Sequence, residues 1–245
     1  MFIKKKILFN GINFYNLEYN DVLKKIKKGG LIVIPSGPGL ATIRNDKEYH
    51  TSLKNSDVAI LDSGFFCLLL LFIKFIKTKK FSGYLLIKKI LDDRNLKNDT
   101  FFFVDPNKQE NIVNRKYLLS SKIIKSFYYI APIYKKKIIE DFKLLKILQE
   151  KKPKFIIINI AGGIQEKLGY YLKKNCSFNP IIICSGAAIS FLTKEQAPIN
   201  DFHDKMYLGW LVRIMYNPLL YLPRYFKAFK LFFLILVSNI KVTLI

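Results

Sequence analysis

Cysteine and histidine are scarce in this chain. The three cysteines, Cys67, Cys176 and Cys184, have neither an even count nor metal-ligand spacing, so neither a disulfide framework nor a zinc site is expected. The two histidines, His50 and His203, lie far apart, and neither takes a role. A reduced, cytosolic setting follows from this cysteine usage. Acidic residues are also few: 18 Asp and Glu face 41 Lys and Arg, for a formal charge of +23. That surplus has to meet something negative, whether nucleic acid, anionic lipid head groups or a phosphate-rich small molecule. A lysine-rich compositional bias produces part of it without any partner. The basic residues are spread along the chain with no nucleic-acid-binding motif, which argues against nucleic acid but keeps a basic nucleic-acid-binding protein as the rival reading. Long apolar runs are missing too. The run from Phe65 to Ile73 holds nine residues, about half of what a spanning helix needs. The N-terminal MFIKKKILFNG has an apolar stretch of only three residues, Ile7 to Phe9, before Asn10 and Gly11, too short for a signal peptide. No Asp-x-Asp pair stands at a strand end, and Asp92-Asp93 reads as a solvated helix end. Neither a metal nor a cofactor is therefore expected.

What is present is a succession of short apolar runs: LIVIP at 31–35, VAIL at 58–61, TFFFV at 100–104, FYYI at 127–130, FIIINI at 155–160 and IIIC at 181–184. Segments of helical spacing separate them, such as Tyr134 to Lys151. Strands alternating with helices predict an α/β fold with a Rossmann-like, open, mostly parallel sheet and helices on both faces. Ligands of such sheets sit beyond the carboxyl ends of the strands. Three strand ends carry small or polar residues there: PSGPG after Ile34, DSG after Leu61 and AGGIQE after Ile160. Gly37 and Gly39 allow a tight turn and close backbone approach to a ligand, and Ser36 stands where it would cap the following helix.

The character changes after Pro198. From Lys205 to Ile245 there are six basic residues, nine aromatics and no acid. This predicts an appendage over 199–245, behind a catalytic domain over 1–198, with helices around 208–216 and 219–236 interrupted by Pro218 and Pro223. Basic residues among aromatic and aliphatic neighbours suit an interfacial helix on an anionic membrane surface.

Taken in order, IPSGPGLATIRND, LKNSDVAILDSG, AGGIQEKLG, ISFLTKEQAP and LGWLVRIMYNPLLYLPRYF resemble the bacterial WecG/TagA/CpsF glycosyltransferases over roughly residues 7 to 235. The resemblance implies transfer of a sugar from a UDP-sugar to a glycan on a polyprenyl diphosphate. It also implies peripheral attachment at the cytoplasmic face of the cell membrane, no metal, and a C-terminal helical membrane-docking appendage. The family's strand-end aspartate falls on Asp62. Its Thr-x-Asn element falls on Ile34 and Ser36, so neither residue is retained, and an inactive relative stays open as an alternative. Its Pro-Lys-Gln-Glu block falls on Gly163, Ile164, Gln165 and Glu166, of which the last two are kept. The tail arginines fall on Arg213 and Arg224.

Glycosyl transfer needs a base for the acceptor hydroxyl and stabilisation of the departing diphosphate. Asp62, at a strand end beside an apolar helix, suits the first task, and direct attack would invert the anomeric centre. The backbone N–H groups at Gly37 and Gly39, together with Arg213 and Arg224, suit the second. Only five of the 41 basic residues are arginine, which favours a use for the planar fork. Gln165 and Glu166 open a helix where they can reach a sugar or nucleotide. Donor sugar, linkage and acceptor glycan stay open, as does assembly into a homo-oligomer.

Overall fold

The computed structural model describes residues 3–135, 138–193, 195, 202–203 and 206–245. The ISFLTKEQAP block and the expected domain boundary at 198/199 lie partly outside these residues. The described strands are β1 (Lys5–Phe9), β2 (Ile12–Asn16), β3 (Gly30–Val33), β4 (Val58–Ile60), β5 (Phe101–Asp105), β6 (Ser126–Ile130), β7 (Phe155–Ile158), β8 (Ile181–Cys184) and β9 (Lys241–Leu244). They form one sheet in the order β6-β5-β7-β8-β3-β4-β2-β1-β9. From β6 to β2 every pairing is parallel, while β1 is antiparallel to both of its neighbours.

The helices come in three groups. Between β2 and β5 lie α1 (Tyr19–Ile26), α2 (Gly37–Leu40), α3 (Lys47–Lys54), α4 (Gly64–Lys74) and α5 (Gly83–Asp92). The second half of the sheet carries α6 (Lys108–Ser120), α7 (Phe142–Lys151), α8 (Ile164–Asn175) and α9 (Ala188–Leu192). The tail holds α10 (Gly209–Tyr216), α11 (Pro218–Ala228) and α12 (Lys230–Val237).

The central strands are buried at every position, as expected where helices cover both faces. Their residues divide with a period of two. Phe102, Val104, Ile156, Ile158, Ile182 and Cys184 join one core with α4, α8 and α12. Phe101, Phe103, Phe155, Ile157, Ile181 and Ile183 join the other with α1 and α5. The Rossmann-like expectation holds.

Three strands were absent from the sequence reading. β1 and β2 form a hairpin whose turn residues, Asn10 and Gly11, both have positive φ, 48° and 77°, the Asn-Gly pair that two-residue hairpins favour. β9 is the other omission: its four residues are all exposed, so no apolar pattern marks them. It brings the end of the tail back to the sheet. Within the tail, the helix break falls at Phe229 and not at Pro223, which lies inside α11 and forfeits only one backbone bond there. Pro218 opens α11 at its first turn, where a missing N–H costs nothing.

The helix expected from Tyr134 begins at Phe142 because Asp141 caps it. The Asp141 carboxylate accepts the Leu144 N–H at 2.8 Å and the hydroxyls of Tyr129 and Tyr134 at 3.0 and 2.7 Å. Asp141→Ala removes the cap and strands two half-buried hydroxyls. We expect a loss of about 2–4 kcal/mol in urea unfolding, with Asp141→Asn retaining part of it.

Candidate functional site

Beyond the carboxyl ends of β5, β7, β8, β3 and β4 lies a cavity of about 520 Å³, walled on its open side by α10 and α11. Of the residues singled out from sequence, Asp62, Ser36, Gly37, Gln165, Glu166, Arg213 and Arg224 all line it. Gly39 does not. Its N–H donates to Ser36 Oγ at 3.2 Å, so the serine closes the first turn of α2 and Gly39 stands behind the wall.

Asp62 follows β4, ahead of two helix starts. Ser63 caps α4, its hydroxyl accepting the Phe66 N–H, and Asp62 Oδ1 accepts the Gly83 N–H at the start of α5, 2.9 Å away. The carboxylate is thereby fixed in orientation. Its other oxygen, Oδ2, has no hydrogen-bond partner among the described residues. Gly64, next to it, has no room for a side chain, because a Cβ would come 2.5 Å from the Tyr207 carbonyl oxygen. The tail therefore enters the site pressed against the backbone of the Asp-Ser-Gly turn.

The tail wall is aromatic and cationic. Trp210 packs edge-on to Phe65 and tilts against Tyr225. Arg213 holds its guanidinium 4.8 Å over the Phe191 ring, while Arg224 lies over Tyr221. Burial pushes the Tyr225 hydroxyl pKa up; the Arg213 charge pulls it down and the Asp62 charge pushes it up. Trp210 Nε1 and Arg213 Nε are buried donors without partners among the described residues, and such groups are rare in a folded chain because each costs on the order of 1–3 kcal/mol.

Gln165 and Glu166 are both buried at the head of α8. Gln165 Oε1 accepts the Gly186 N–H at 2.7 Å and Nε2 donates to Glu166 Oε1 at 3.2 Å. The glutamine thus ties the loop after β7 to the loop after β8. Glu166 Oε2 accepts the Gly163 N–H at 2.6 Å, closing the helix end. Burial pushes its carboxyl up to about 7, against the pull of those donors and of Lys167.

A buried hub below the cavity went unread in the sequence. Asp105, at the end of β5, is fully buried and accepts the side-chain amides of Asn111, Asn114 and Asn159 at 2.7, 2.8 and 2.8 Å. Asn159 in turn accepts the Ser185 hydroxyl at 2.8 Å. The signal available was DPNKQENIVN, which places Asn107, Asn111 and Asn114 on one helical face behind a strand-end aspartate. Among the described residues, no three of His, Cys, Asp and Glu come together as metal ligands.

A model of the glycosyl transferase WecG/TagA/CpsF family matches residues 7–243. The chain belongs to this family. No curated protein matches it. The family match runs from β1 to β9, so it takes in the tail wall as well as the sheet. Members of the WecG/TagA/CpsF family are glycosyltransferases of polysaccharide synthesis, and glycosyl transfer is the reaction class of this chain.

Glu166 gives the glycosyltransferase a pH signature. An unfolded glutamate ionises near 4.5 and the folded one near 7, so between those values the folded chain binds the extra proton and stability falls as pH rises. Glu166→Gln removes the titrating group. Thermal unfolding of the variant is expected to lose that decline between pH 4.5 and 7, worth about 3 kcal/mol across the window.

Proposed function

We propose that this glycosyltransferase moves a sugar of the N-acetylhexosamine type from a UDP-sugar to a polyprenyl-diphosphate-linked acceptor, with inversion and without a metal. The observation that carries this reading is Asp62: a carboxylate anchored through Oδ1 on the Gly83 N–H, beside the cavity's cationic wall, with no partner for Oδ2 among the described residues. Oδ2 accepts the proton of the acceptor hydroxyl as its oxygen attacks the anomeric carbon. The bond from that carbon to the diphosphate breaks, and UDP leaves with the electron pair. The N-terminus of α8 and the guanidinium groups of Arg213 and Arg224 stabilise the leaving charge. A diphosphate oxygen would also satisfy the orphaned Trp210 Nε1 and Arg213 Nε.

The acceptor's lipid calls for a membrane surface, and the tail has the face for one. Met215, Leu219 and Phe226 are 76%, 92% and 79% exposed, and Phe75, at the end of α4, is 87% exposed. These are large apolar groups that a water-facing helix would not display together. α4 and α12 pack side by side, with Lys74 Nζ donating to the Leu236 carbonyl at 3.0 Å. Lys227 and Lys230 stand among these residues, an arrangement that suits anionic head groups. No helix among the described residues is long and apolar enough to cross a membrane. Attachment is therefore proposed as peripheral, at the cytoplasmic face.

Two measurements test the proposal. With a UDP-N-acetylhexosamine and a short-chain lipid-diphosphate acceptor, Asp62→Asn is expected to lower kcat by about 10²–10⁴-fold, the usual contribution of a general base; turnover near that of the parent would remove Asp62 from the role. Removing the whole tail would also remove the buried Leu231, Leu234 and Ile235, so docking is better tested by exposed positions. Leu219→Ser with Leu222→Ser and Phe226→Ser should leave thermal unfolding unchanged and release the protein from anionic vesicles in co-sedimentation.

A further inference from the structure

We infer that Glu110 binds the ribose of the donor, its carboxylate accepting the vicinal 2′- and 3′-hydroxyls of the nucleoside. The inference rests on the nucleotide-sugar reading above and assigns one end of that substrate to a residue. Among the described residues, three carboxylates line the cavity: Asp62, Glu110 and Glu166. Asp62 takes the acceptor proton, and Glu166 is buried and occupied at the head of α8. Glu110 is half-buried, in the first turn of α6, and the transfer step gives it nothing to do.

Its position selects the ligand group. The strand ends run in the order β5, β7, β8, β3, β4, so the ends of β5 and β4 are four strand spacings apart, about 19 Å at roughly 4.8 Å each. Glu110 stands beyond β5 and Asp62 beyond β4. A nucleotide sugar laid along this edge with its anomeric carbon at Asp62 carries its diphosphate past the N-terminus of α8. Its nucleoside then reaches the β5 end. A carboxylate there repels phosphate and gains only from hydrogen-bond donors. The acceptor has its hydroxyl committed at Asp62, at the opposite end.

The geometry suits two donors. Glu110 Oε1 accepts Asn107 Nδ2 at 3.1 Å, and Oε2 accepts the Ser190 hydroxyl at 3.3 Å. A carboxylate has about four acceptor sites, so these bonds leave one free on each oxygen, the pattern that two hydroxyls on adjacent ribose carbons can fill. The group is also held rigidly. Asn107 Oδ1 accepts the Glu110 N–H at 2.8 Å, and Asn111 and Asn114 of the same helix are bonded to the buried Asp105. A carboxylate set in place before binding loses little side-chain entropy when the ligand arrives.

Calorimetric titration of the full chain with UDP and with 2′,3′-dideoxyuridine diphosphate tests the assignment. In the parent protein, loss of the two hydroxyls should weaken binding about tenfold to a hundredfold, the range for hydrogen bonds to a charged group. Glu110→Gln should bind UDP at least about tenfold more weakly and discriminate between the two nucleotides far less. A folded Glu110→Gln protein that discriminates as strongly as the parent would overturn the inference. So would a parent that binds UDP and ignores the hydroxyls, a result that needs no variant and leaves the UDP-sugar reading standing. A parent that binds no UDP would overturn both.

Discussion

Burial of the central strands on both faces is the constraint from which the rest follows. Strands β5, β7 and β8 are closed off at every position, so no polar group can leave the sheet sideways without a desolvation cost. Polar chemistry is confined to the strand ends. There the chain places Asp105, Asn159 and Ser185 as a closed hydrogen-bonded set, and above them the loops that line the cavity. The hub keeps the ends of β5, β7 and β8 in register with the head of α6. The Gln165 amide makes a second tie, between the loops after β7 and β8. The cavity floor is therefore rigid, and its open side belongs to another part of the chain.

That open side is the tail, which is both wall and core. Leu231, Leu234 and Ile235 of α12 are buried in the same cluster as the apolar face of α4, while α10 and α11 turn Trp210, Arg213 and Tyr225 toward the cavity. The nine-residue run after Asp62 finds its explanation here. Phe66, Cys67 and Leu70 pack into the sheet, and the outer residues Leu71 and Phe72, with Phe75 just past the run, stay exposed beside the tail. One apolar stretch thus serves as core on one side and surface on the other.

Much of this was legible in the sequence, and what was not has physical causes. The parallel sheet showed because its strands are uninterrupted apolar runs, and Asp62 showed because an Asp-Ser-Gly turn interrupts that pattern abruptly. β9 did not show, since an exposed edge strand carries no burial pattern and its partner β1 lies at the other end of the chain. The Asp105 hub was hidden because Asn159 lies 54 residues away from the aspartate it binds. Gly39 was read as cavity lining because a Gly-Pro-Gly turn looks the same whether its N–H groups face a ligand or a capping serine. Gln165 was read as a contact for a sugar or nucleotide; it lines the cavity, and its amide also bonds Gly186 and Glu166, pairings that no sequence pattern marks.

The pairing of β9 with β1 has a mechanical meaning. The segment that walls the cavity is pressed against Gly64 at its start, through Tyr207, and sewn to the sheet edge at its finish, through Lys241–Leu244. It is a strap fastened at both ends and not a free flap. Substrates therefore meet a wall that is held at two separate points. A pull on the apolar face of α11 is then carried at one end to the Asp62 turn and at the other to the far edge of the sheet.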